Sequence, residues 1–385
     1  MARFRILRQD CEFVGFGGPQ MAAAGCDLLY DLTQHAVMFF SKVLRQIATF
    51  RRLLRQADDY FRTQRVDAVV LIDYPGFNWW VARAAKRRGI PVFYYGTPQM
   101  WAWAPWRVRK IRRFVDHVLC QHPFEPAWYA ARECRAQFVG HPFFDDLDDA
   151  RLDRSFLQDF VRPGERRLVL LPGSRSAEVT DNLECFLGVA RRVKEQLPQT
   201  RIAFACFNQA QADVVQARVA ELGLTLEVHC GRTPELIHAA DACVACSGSV
   251  SLQLLAARKP TVIYYRLGQV AWWLQRIFLR VKYITLVNLY WAQDIRKVGW
   301  SSYDPERPGA ETLPMPEYLT TTDQSPAIAR RILTWLTDEE ARQTAVRRLD
   351  QVARGVAKPG ASQRAALAIC AALEKRELDQ NRHAA

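Results

Sequence analysis

A run of apolar residues that stops at a Pro-Gly turn is the feature that most restricts the fold of this chain. Residues 168–178 read Leu-Val-Leu-Leu-Pro-Gly-Ser-Arg-Ser-Ala-Glu. Four consecutive apolar residues are typical of a strand buried on both faces, as in a parallel sheet covered by helices. The chain must turn at Pro172 and Gly173, and Ser174 can cap a helix that begins near Ala177.

A strand that enters a glycine turn and then a helix is also a favourable place for phosphate. Free backbone N–H groups point outward there, and the helix dipole favours an anion. Arg175 adds a positive charge with a fork of donors that suits a diphosphate. The alternative is an ordinary turn between strand and helix with a solvated arginine.

Similar units recur in two consecutive sets, which predicts an α/β fold. The predicted strands are 12–15, 67–72, 92–95, 116–121 and 136–139, followed by 168–171, 202–207, 225–229, 242–246 and 260–264. The segment 294–324 looks irregular, and three helical segments with a polar tail finish the chain. A length of 385 residues also favours two domains.

A second glycine turn points to a nucleotide in the second set of units. Ser247, Gly248 and Ser249 follow the predicted strand 242–246 and open another helix. Two such turns in one domain fit a nucleotide, with one turn binding phosphate and the other binding phosphate or ribose. The pattern is that of two Rossmann-like, doubly wound domains of the GT-B glycosyltransferase type, with a central cleft and C-terminal helices. The donor is expected against the second domain and the acceptor against the first.

The charge balance indicates an anionic partner. The formal net charge is +13 and the pI is about 9.4. Such a balance suits nucleic acid, an anionic membrane surface or a phosphorylated ligand. Because no common nucleic-acid-binding signature is present, we expect a membrane surface or a phosphorylated ligand, and no nucleic acid.

The sequence also predicts a cytoplasmic protein without a metal site. The N-terminus lacks the apolar core of a signal peptide, and no stretch has the apolar length of a membrane span. Ten cysteines are scattered along the chain. Cys243 and Cys246 have metal-like spacing but no second pair nearby, so buried reduced thiols are expected.

Candidate ligand-binding residues in the first half follow predicted strands. Asp73 comes after strand 67–72, where open sheets bind ligands, although an Asp at such a position more often caps the next helix. The glycines in 15–18 allow either a bland loop or a close ligand. The tryptophans in 98–103 pack in a core or wall a pocket. His141, between Gly and Pro, is a structural residue or a base.

Two apolar helices with basic edges are predicted at 34–65 and 272–281. Such a face ordinarily packs in a core. At a membrane interface it would instead contact acyl chains. The candidate acyl-contact residues are Val37, Phe39, Phe40, Val43, Trp272 and Trp273.

Taken together, the motifs resemble those of the lipid-A-disaccharide synthase family. The matching segments are 15–21, 72–78, 98–103, 139–142, 170–178, 247–252 and 265–266, together with Asn288, and they occur in family order. The resemblance implies inverting transfer of 2,3-diacylglucosamine from its UDP donor to 2,3-diacylglucosamine 1-phosphate, giving the β-1,6-linked disaccharide phosphate and UDP. It also implies a Gram-negative enzyme attached peripherally to the inner membrane, with no cofactor or metal, and it allows a homodimer.

The same resemblance assigns roles to residues. Asp73 matches the family's essential Asp and would be the base, while Arg175 would offset the charge of departing UDP. The implied donor-binding residues are Gly173, Ser174, Arg175, Ser247, Gly248, Ser249, Gln253, Arg266 and Asn288. The implied acceptor-side residues are Gly17, Gly18, Met21, Asn78, Pro98, Gln99, Trp101 and His141.

The sequence departs from the family pattern in three places. The family's first strand and Ser-Gly-Asp segment are not found, so the expected domains are an acceptor domain at 1–150 without its first strand, a donor domain at 151–355, and a helix and tail at 356–385. Gln253 stands where the family has Glu, and Gly76 where it has Asp. Two alternatives stay open: another UDP-N-acetylglucosamine enzyme of this architecture, or a catalytically impaired binding remnant, which the missing segment and Gln253 would favour.

Overall fold

The computed structural model describes residues 1–35, 43–148, 151–296, 303–307 and 310–384, which form two compact units. Unit 1 comprises residues 1–145 and 359–385, and unit 2 comprises residues 146–358. Both units combine parallel strands with helices, so the predicted α/β class is confirmed.

The elements follow the alternation expected from the sequence. The strands are β1 Val14–Gly17, β2 Asp27–Asp31, β3 Val69–Ile72, β4 Val92–Tyr95, β5 His117–Cys120, β6 Ala136–Phe138, β7 Arg167–Leu171, β8 Arg201–Cys206, β9 Glu227–Cys230, β10 Ala242–Ala245, β11 Thr261–Arg266 and β12 Glu317–Thr320. The helices are α1 Ala2–Leu7, α2 Pro19–Ala23, α3 Val43–Thr63, α4 Pro75–Arg87, α5 Val108–Phe114, α6 Glu125–Ala130, α7 Phe143–Asp148, α8 Arg154–Phe160, α9 Ser176–Gln196, α10 Gln209–Glu221, α11 Thr233–Ala239, α12 Val250–Ala256, α13 Gln269–Phe278, α14 Leu286–Trp291, α15 Ser325–Thr337, α16 Glu339–Val356 and α17 Ala361–Ala384.

Unit 1 contains two parallel sheets. Strand β1 pairs with β2, and β3, β4, β5 and β6 form a four-stranded sheet in that order. Because neighbouring strands of the larger sheet are parallel, their carboxyl ends lie along one edge. That edge carries Asp73 and the segments that follow β4, β5 and β6.

The last helix of the chain packs on unit 1. Residues Ala365, Ile369 and Leu373 of α17 recur every four positions and contact Phe93 and Leu119 of the sheet. The carboxylate of Asp145 accepts the backbone N–H groups of Gly360 (2.7 Å), Ala361 (3.0 Å) and Ser362 (2.9 Å). It therefore satisfies donors that the start of a helix leaves open.

Unit 2 has a six-stranded parallel sheet in the order β12-β11-β10-β7-β8-β9. The chain first adds strands outward from β7 through β8 to β9, and then returns to the other side of β7 with β10. The direction of winding thus reverses between β7 and β10, and open α/β sheets bind ligands outside the carboxyl ends of the strands at such a point.

Two strands were missed by the apolar-run criterion. β12 lies within the segment 294–324 that was predicted to be irregular, and that prediction was wrong for residues 317–320. Its sequence, Glu-Tyr-Leu-Thr, begins with a carboxylate and has only two apolar residues. β2 is likewise bounded by Asp27 and Asp31. Both are held by pairing with a neighbouring strand, which local pattern does not reveal.

None of the helices in the described ranges is both long and apolar enough to span a bilayer.

Candidate functional site

The two glycine turns of unit 2 lie side by side at the reversal point of the sheet. Strand β10 pairs with β7, and the N–H of Cys246 donates to the carbonyl of Leu171 at 2.8 Å. The segment 172–175 therefore adjoins the segment 246–249. Ser247 is half-buried, whereas Gly248 and Ser249 are exposed at the start of α12. The structure thus brings these predicted donor residues together.

A buried asparagine joins three strand ends at this edge. Asn182 of α9 donates its amide N–H groups to the carbonyl of Pro172 and to the sulfur of Cys246, both at 3.4 Å. Its side-chain oxygen accepts the N–H of Arg266 at 3.0 Å. Arg266, whose side chain is exposed, is thereby placed at the same edge at the end of β11. Asn182 was not identified from the sequence, where its signal is an amide on the apolar face of α9.

Two backbone N–H donors of the first turn are already occupied by a carboxylate. One carboxylate oxygen of Glu178 accepts the backbone N–H groups of Ser174 and Arg175, both at 3.2 Å. The other accepts Nη1 of Arg175 at 2.8 Å. These two backbone donors therefore do not point outward, contrary to the expectation for this turn. Ser174 also does not cap α9 through its hydroxyl; Glu178 caps the helix from its third position.

Two further predicted donor residues differ in their surroundings. Gln253 is half-buried on α12. Asn288 is fully buried: its amide donates to the carbonyl of Met315 (2.6 Å) and to the carboxylate of Glu317 (3.0 Å), and its oxygen accepts the N–H of Met315 (3.1 Å). The amide of Asn288 is therefore used inside the protein, and its contact with the donor stays a prediction.

In unit 1, Asp73 stands exposed on a strained turn at the end of β3. Asp73 and Tyr74 both have positive φ, 44° and 43°, a region that side chains other than glycine seldom adopt. The carbonyl of Asp73 accepts Nδ2 of Asn78 (2.6 Å) and the hydroxyl of Tyr94 (2.8 Å). Asn78 also donates to the carbonyl of Ile72 at 3.2 Å. Asn78 thus fixes the turn that presents the Asp73 carboxylate.

The ends of β4, β5 and β6 meet around a buried carboxylate. Glu125 accepts Nε1 of Trp101 (3.0 Å) and the backbone N–H groups of Gln121 and His122 (3.0 Å each). The ring of His122 lies 5.7 Å from the rings of both Trp101 and His141. Trp101 and His141, predicted on the acceptor side, are therefore joined by Glu125 and His122, which sequence reasoning missed.

Burial shifts the ionisation of this group. Burial raises the pKa of Glu125 to about 7, although its hydrogen bonds oppose the shift. Burial lowers the pKa of His122 to about 4. Burial, followed by the charge of His122, lowers the pKa of His141 to about 4. At neutral pH both imidazoles are uncharged, and Nδ1 of His141 accepts the N–H of Phe143 at 3.2 Å.

The remaining acceptor-side predictions lie in turns with internal contacts. A Cβ on Gly17 would collide with the sulfur of Met21, and one on Gly18 would lie 2.5 Å from Cγ2 of Thr33. Packing inside the protein is therefore sufficient to explain these two glycines. Pro98 is half-buried and Gln99 is exposed in the turn after β4.

Helix α13 carries an exposed apolar face. Side chains spaced three or four positions apart are exposed, and no residue of the helix is buried. They are Val270 (74%), Trp273 (57%), Leu274 (49%), Ile277 (44%) and Phe278 (48%). The ring of Trp272 packs against Trp273 at 5.3 Å, and Arg276 lies over Trp272 at 4.5 Å. The other predicted acyl contacts, Val37, Phe39 and Phe40, lie outside the described residues, as does the side chain of Val43.

A family model and the sequences of individual relatives all match this chain to one family. The family model described as lipid-A-disaccharide synthetase matches residues 4–301. The lipid-A-disaccharide synthase of Myxococcus xanthus is 32% identical over 290 residues, covering 75% of this chain and 76% of its own. That of Alkalilimnicola ehrlichii is 34% identical over 293 residues, covering 74% and 77%.

Solved structures agree on the fold. The UDP-GlcNAc 2-epimerase of Neisseria meningitidis bound to UDP-GlcNAc aligns with a TM-score of 0.55 at 11% identity, over 98% of this chain and 96% of that one. Another UDP-N-acetylglucosamine 2-epimerase aligns with a TM-score of 0.53 at 13% identity, over 90% and 86%. The predicted GT-B type of two Rossmann-like domains is confirmed.

Proposed function

The chain belongs to the lipid-A-disaccharide synthase family, and we propose that Asp73 and Arg175 are the principal side chains of its reaction. The enzyme is a glycosyltransferase of lipid A biosynthesis. It transfers 2,3-diacylglucosamine from UDP-2,3-diacylglucosamine to 2,3-diacylglucosamine 1-phosphate. The products are the β-1,6-linked lipid A disaccharide 1-phosphate and UDP.

The chemistry needs one base and one group that neutralises negative charge. In an inverting transfer, the 6-hydroxyl oxygen of the acceptor bonds to C1 of the donor sugar while the bond from C1 to the UDP oxygen breaks. The hydroxyl proton passes to a base, and negative charge grows on the departing diphosphate.

Asp73 is proposed as the base. Its side chain is exposed at the carboxyl edge of the unit 1 sheet. Two consecutive residues with positive φ carry a conformational cost, and such strain persists where surrounding contacts enforce it. Asn78 and Tyr94 supply those contacts through the carbonyl of Asp73. The carboxylate can therefore be aimed at a hydroxyl without reorganising the turn.

Arg175 is proposed to stabilise departing UDP. The observation that carries this proposal is the position of its turn beside the segment 246–249, at the reversal point of the unit 2 sheet. Its side chain is 80% exposed, so most of the guanidinium can meet a diphosphate. Ser247, Ser249 and Arg266 line the same edge and are proposed to share the donor.

UDP release from the two substrates in detergent tests both assignments. We expect Asp73→Asn and Arg175→Ala each to lower kcat by about a hundredfold or more, since a positioned base or an anion-stabilising group typically contributes that much. Asp67→Asn and Arg191→Ala are matched controls, because both side chains are exposed. Asp67 lies two residues before β3, the strand that precedes Asp73, and Arg191 lies on α9, the helix that follows Arg175. Parent-like turnover by Asp73→Asn would remove Asp73 as the base.

Attachment to the inner membrane is also part of the proposal. The exposed apolar stripe of α13, with Arg276 beside it, has the composition of a helix that lies in a membrane interface. Diacylated substrates reside in a bilayer, so an enzyme that uses them gains from such contact. The homodimer allowed by the family resemblance stays a prediction, and sedimentation equilibrium of the purified chain tests it.

A further inference from the structure

Glu178 accepts hydrogen bonds from N–H donors that the sequence pattern predicts for a phosphate. Its carboxylate oxygens accept three donors from two residues: the N–H of Ser174, the N–H of Arg175 and Nη1 of Arg175. At the turn that follows β7, a carboxylate of the protein itself therefore takes the hydrogen bonds that a bound anion would accept.

The turn is shaped to hold this carboxylate. Gly173 has a φ of +132°, and a Cβ there would lie 2.8 Å from Cβ of Glu178 and 3.0 Å from its Oε2. On the other side, Gln211 donates Nε2 to the carbonyl of Ser174 at 2.9 Å and accepts the N–H of Phe207 at 3.2 Å. The turn is thus tied both to Glu178 and to the end of β8.

The pair of Glu178 and Arg175 is unequal in exposure. The Glu178 side chain is 10% exposed, whereas the Arg175 side chain is 80% exposed. A freely solvated arginine samples many rotamers, and an ion pair at such a surface adds little stability. The fixed carboxylate instead selects one direction for the guanidinium, with Nη1 turned inward. A planar guanidinium can bridge two anions, since its other donors remain available.

We propose that Glu178 is a positioning residue, which orients Arg175 toward the diphosphate of the nucleotide donor. This inference rests on the proposed function of Arg175. Glu178 does not itself touch the donor, and its effect on donor binding and on the departure of UDP passes through Arg175.

A double-mutant cycle with UDP binding as its readout tests the proposal. Glu178→Gln keeps an oxygen for the backbone N–H groups but faces Arg175 with an uncharged amide. We expect it to weaken UDP binding by about tenfold, as for loss of a hydrogen bond between charged groups. In the Arg175→Ala background, the same substitution should change UDP affinity by less than about twofold, because Arg175 is no longer there to be oriented. Calorimetry on the four full-length proteins gives the coupling.

Controls separate positioning from simple helix capping. Glu184→Gln removes a similar pair on α9, with Arg218 at 2.7 Å, and should leave UDP binding unchanged. Glu178→Asp retains the charge and a helix-capping group, but its side chain is one methylene shorter and reaches Arg175 less well. It should therefore also weaken UDP binding, and it replaces Glu178→Gln if that variant does not fold. Thermal unfolding of each variant reports any loss of the cap.

The alternatives give different results. Tighter UDP binding by Glu178→Gln would mean that Glu178 competes with phosphate for the turn. An equal loss with and without Arg175 would mean that Glu178 acts through the helix alone. Either result overturns the proposal while leaving the role of Arg175 intact. Failure of the unsubstituted chain to bind UDP would overturn both.

Discussion

Glycine is required at one of the two turns of the donor edge and not at the other. At Gly173 a side chain would meet both a positive φ and the Cβ of Glu178. At Gly248 a Cβ would have no neighbour within 4 Å, and φ lies outside the positive region. The two residues look alike in the sequence, so only the backbone and its neighbours distinguish them.

We therefore expect Gly173→Ala to lower the free energy of unfolding by about 1–3 kcal/mol, the usual cost of forcing a side chain into such a conformation. UDP affinity should fall with it, because the turn carries Arg175. Gly248→Ala should change stability by no more than about 0.5 kcal/mol. Urea unfolding with parallel UDP titration measures both; equal effects of the two substitutions would contradict this account.

The candidate site residues that could be predicted are those with a local signal in the sequence. Asp73 was proposed because it directly follows an apolar strand, and Arg175 because it lies in the glycine turn after another such strand. Asn182 was not identified, because Cys246 and Arg266 reach it only when α9 packs against the ends of β10 and β11. Glu178 was given no role, although its partners Ser174 and Arg175 lie only four and three residues before it, at the spacing of a capping box. The contacts of Asn288 were not predictable either, since a motif match does not show that its amide donates to Met315 and Glu317.

At the scale of elements, a strand can be recognised from the sequence when it is buried on both faces. Strands β7 and β10 are fully or nearly fully buried, and their unbroken apolar runs made them easy to recognise. β2 and β12 are short and contain charge, and their pairing is a tertiary property. Helix α13 was expected as a basic-edged apolar helix at 272–281, and the structure gives residues 269–278.

The exposed apolar stripe of α13 predicts that this helix contributes to binding at a membrane surface. Substituting Trp273→Ser together with Ile277→Ser should lower binding to vesicles that contain phosphatidylglycerol by about tenfold, since each half-buried apolar side chain contributes roughly 1 kcal/mol. Thermal stability should be unchanged, because both side chains are exposed in the folded chain. Vesicle co-sedimentation of the full-length protein measures the change.

Val214→Ser on α10 is the matched control, since Val214 is 50% exposed but belongs to no such stripe. It should bind vesicles as the unsubstituted chain does. If the α13 variant also binds normally, α13 is not the membrane contact.

At the scale of the whole molecule, the two units carry different buried ionisable groups. Unit 1 contains Glu125, whose pKa burial raises to about 7, together with His122 and His141, whose pKa values burial lowers to about 4. Unit 2 contains Glu317, whose pKa burial raises to about 7 against hydrogen bonds from Ile284, Thr285 and Asn288. None of these pKa shifts was evident from the sequence, because burial by distant segments is the main cause of each.

These shifts act in opposite directions on stability. A carboxyl group whose pKa is raised binds its proton more tightly in the folded chain, so its contribution falls as pH rises from about 4.5 to about 7. An imidazole whose pKa is lowered resists protonation in the folded chain, so its contribution is lost as pH falls from about 6.5 to about 4. In unit 1 the effect of Glu125 on stability is opposed by that of His122 and His141. Among these four groups, none opposes Glu317 in unit 2.

We therefore expect unit 2 to lose about 1–2 kcal/mol of stability between pH 5.5 and 7.5, and unit 1 to change less. Hydrogen exchange of the buried amides of β10 and β4, corrected for the intrinsic exchange rate at each pH, reports the two units separately. Glu317→Gln mimics the protonated carboxyl and should remove most of the slope in unit 2. Asp350→Asn should leave that slope in place, because Arg258 and Arg354 hold the pKa of Asp350 below its usual value and it titrates at lower pH. A slope in β10 that survives Glu317→Gln would mean that another group controls the stability of unit 2 near neutral pH.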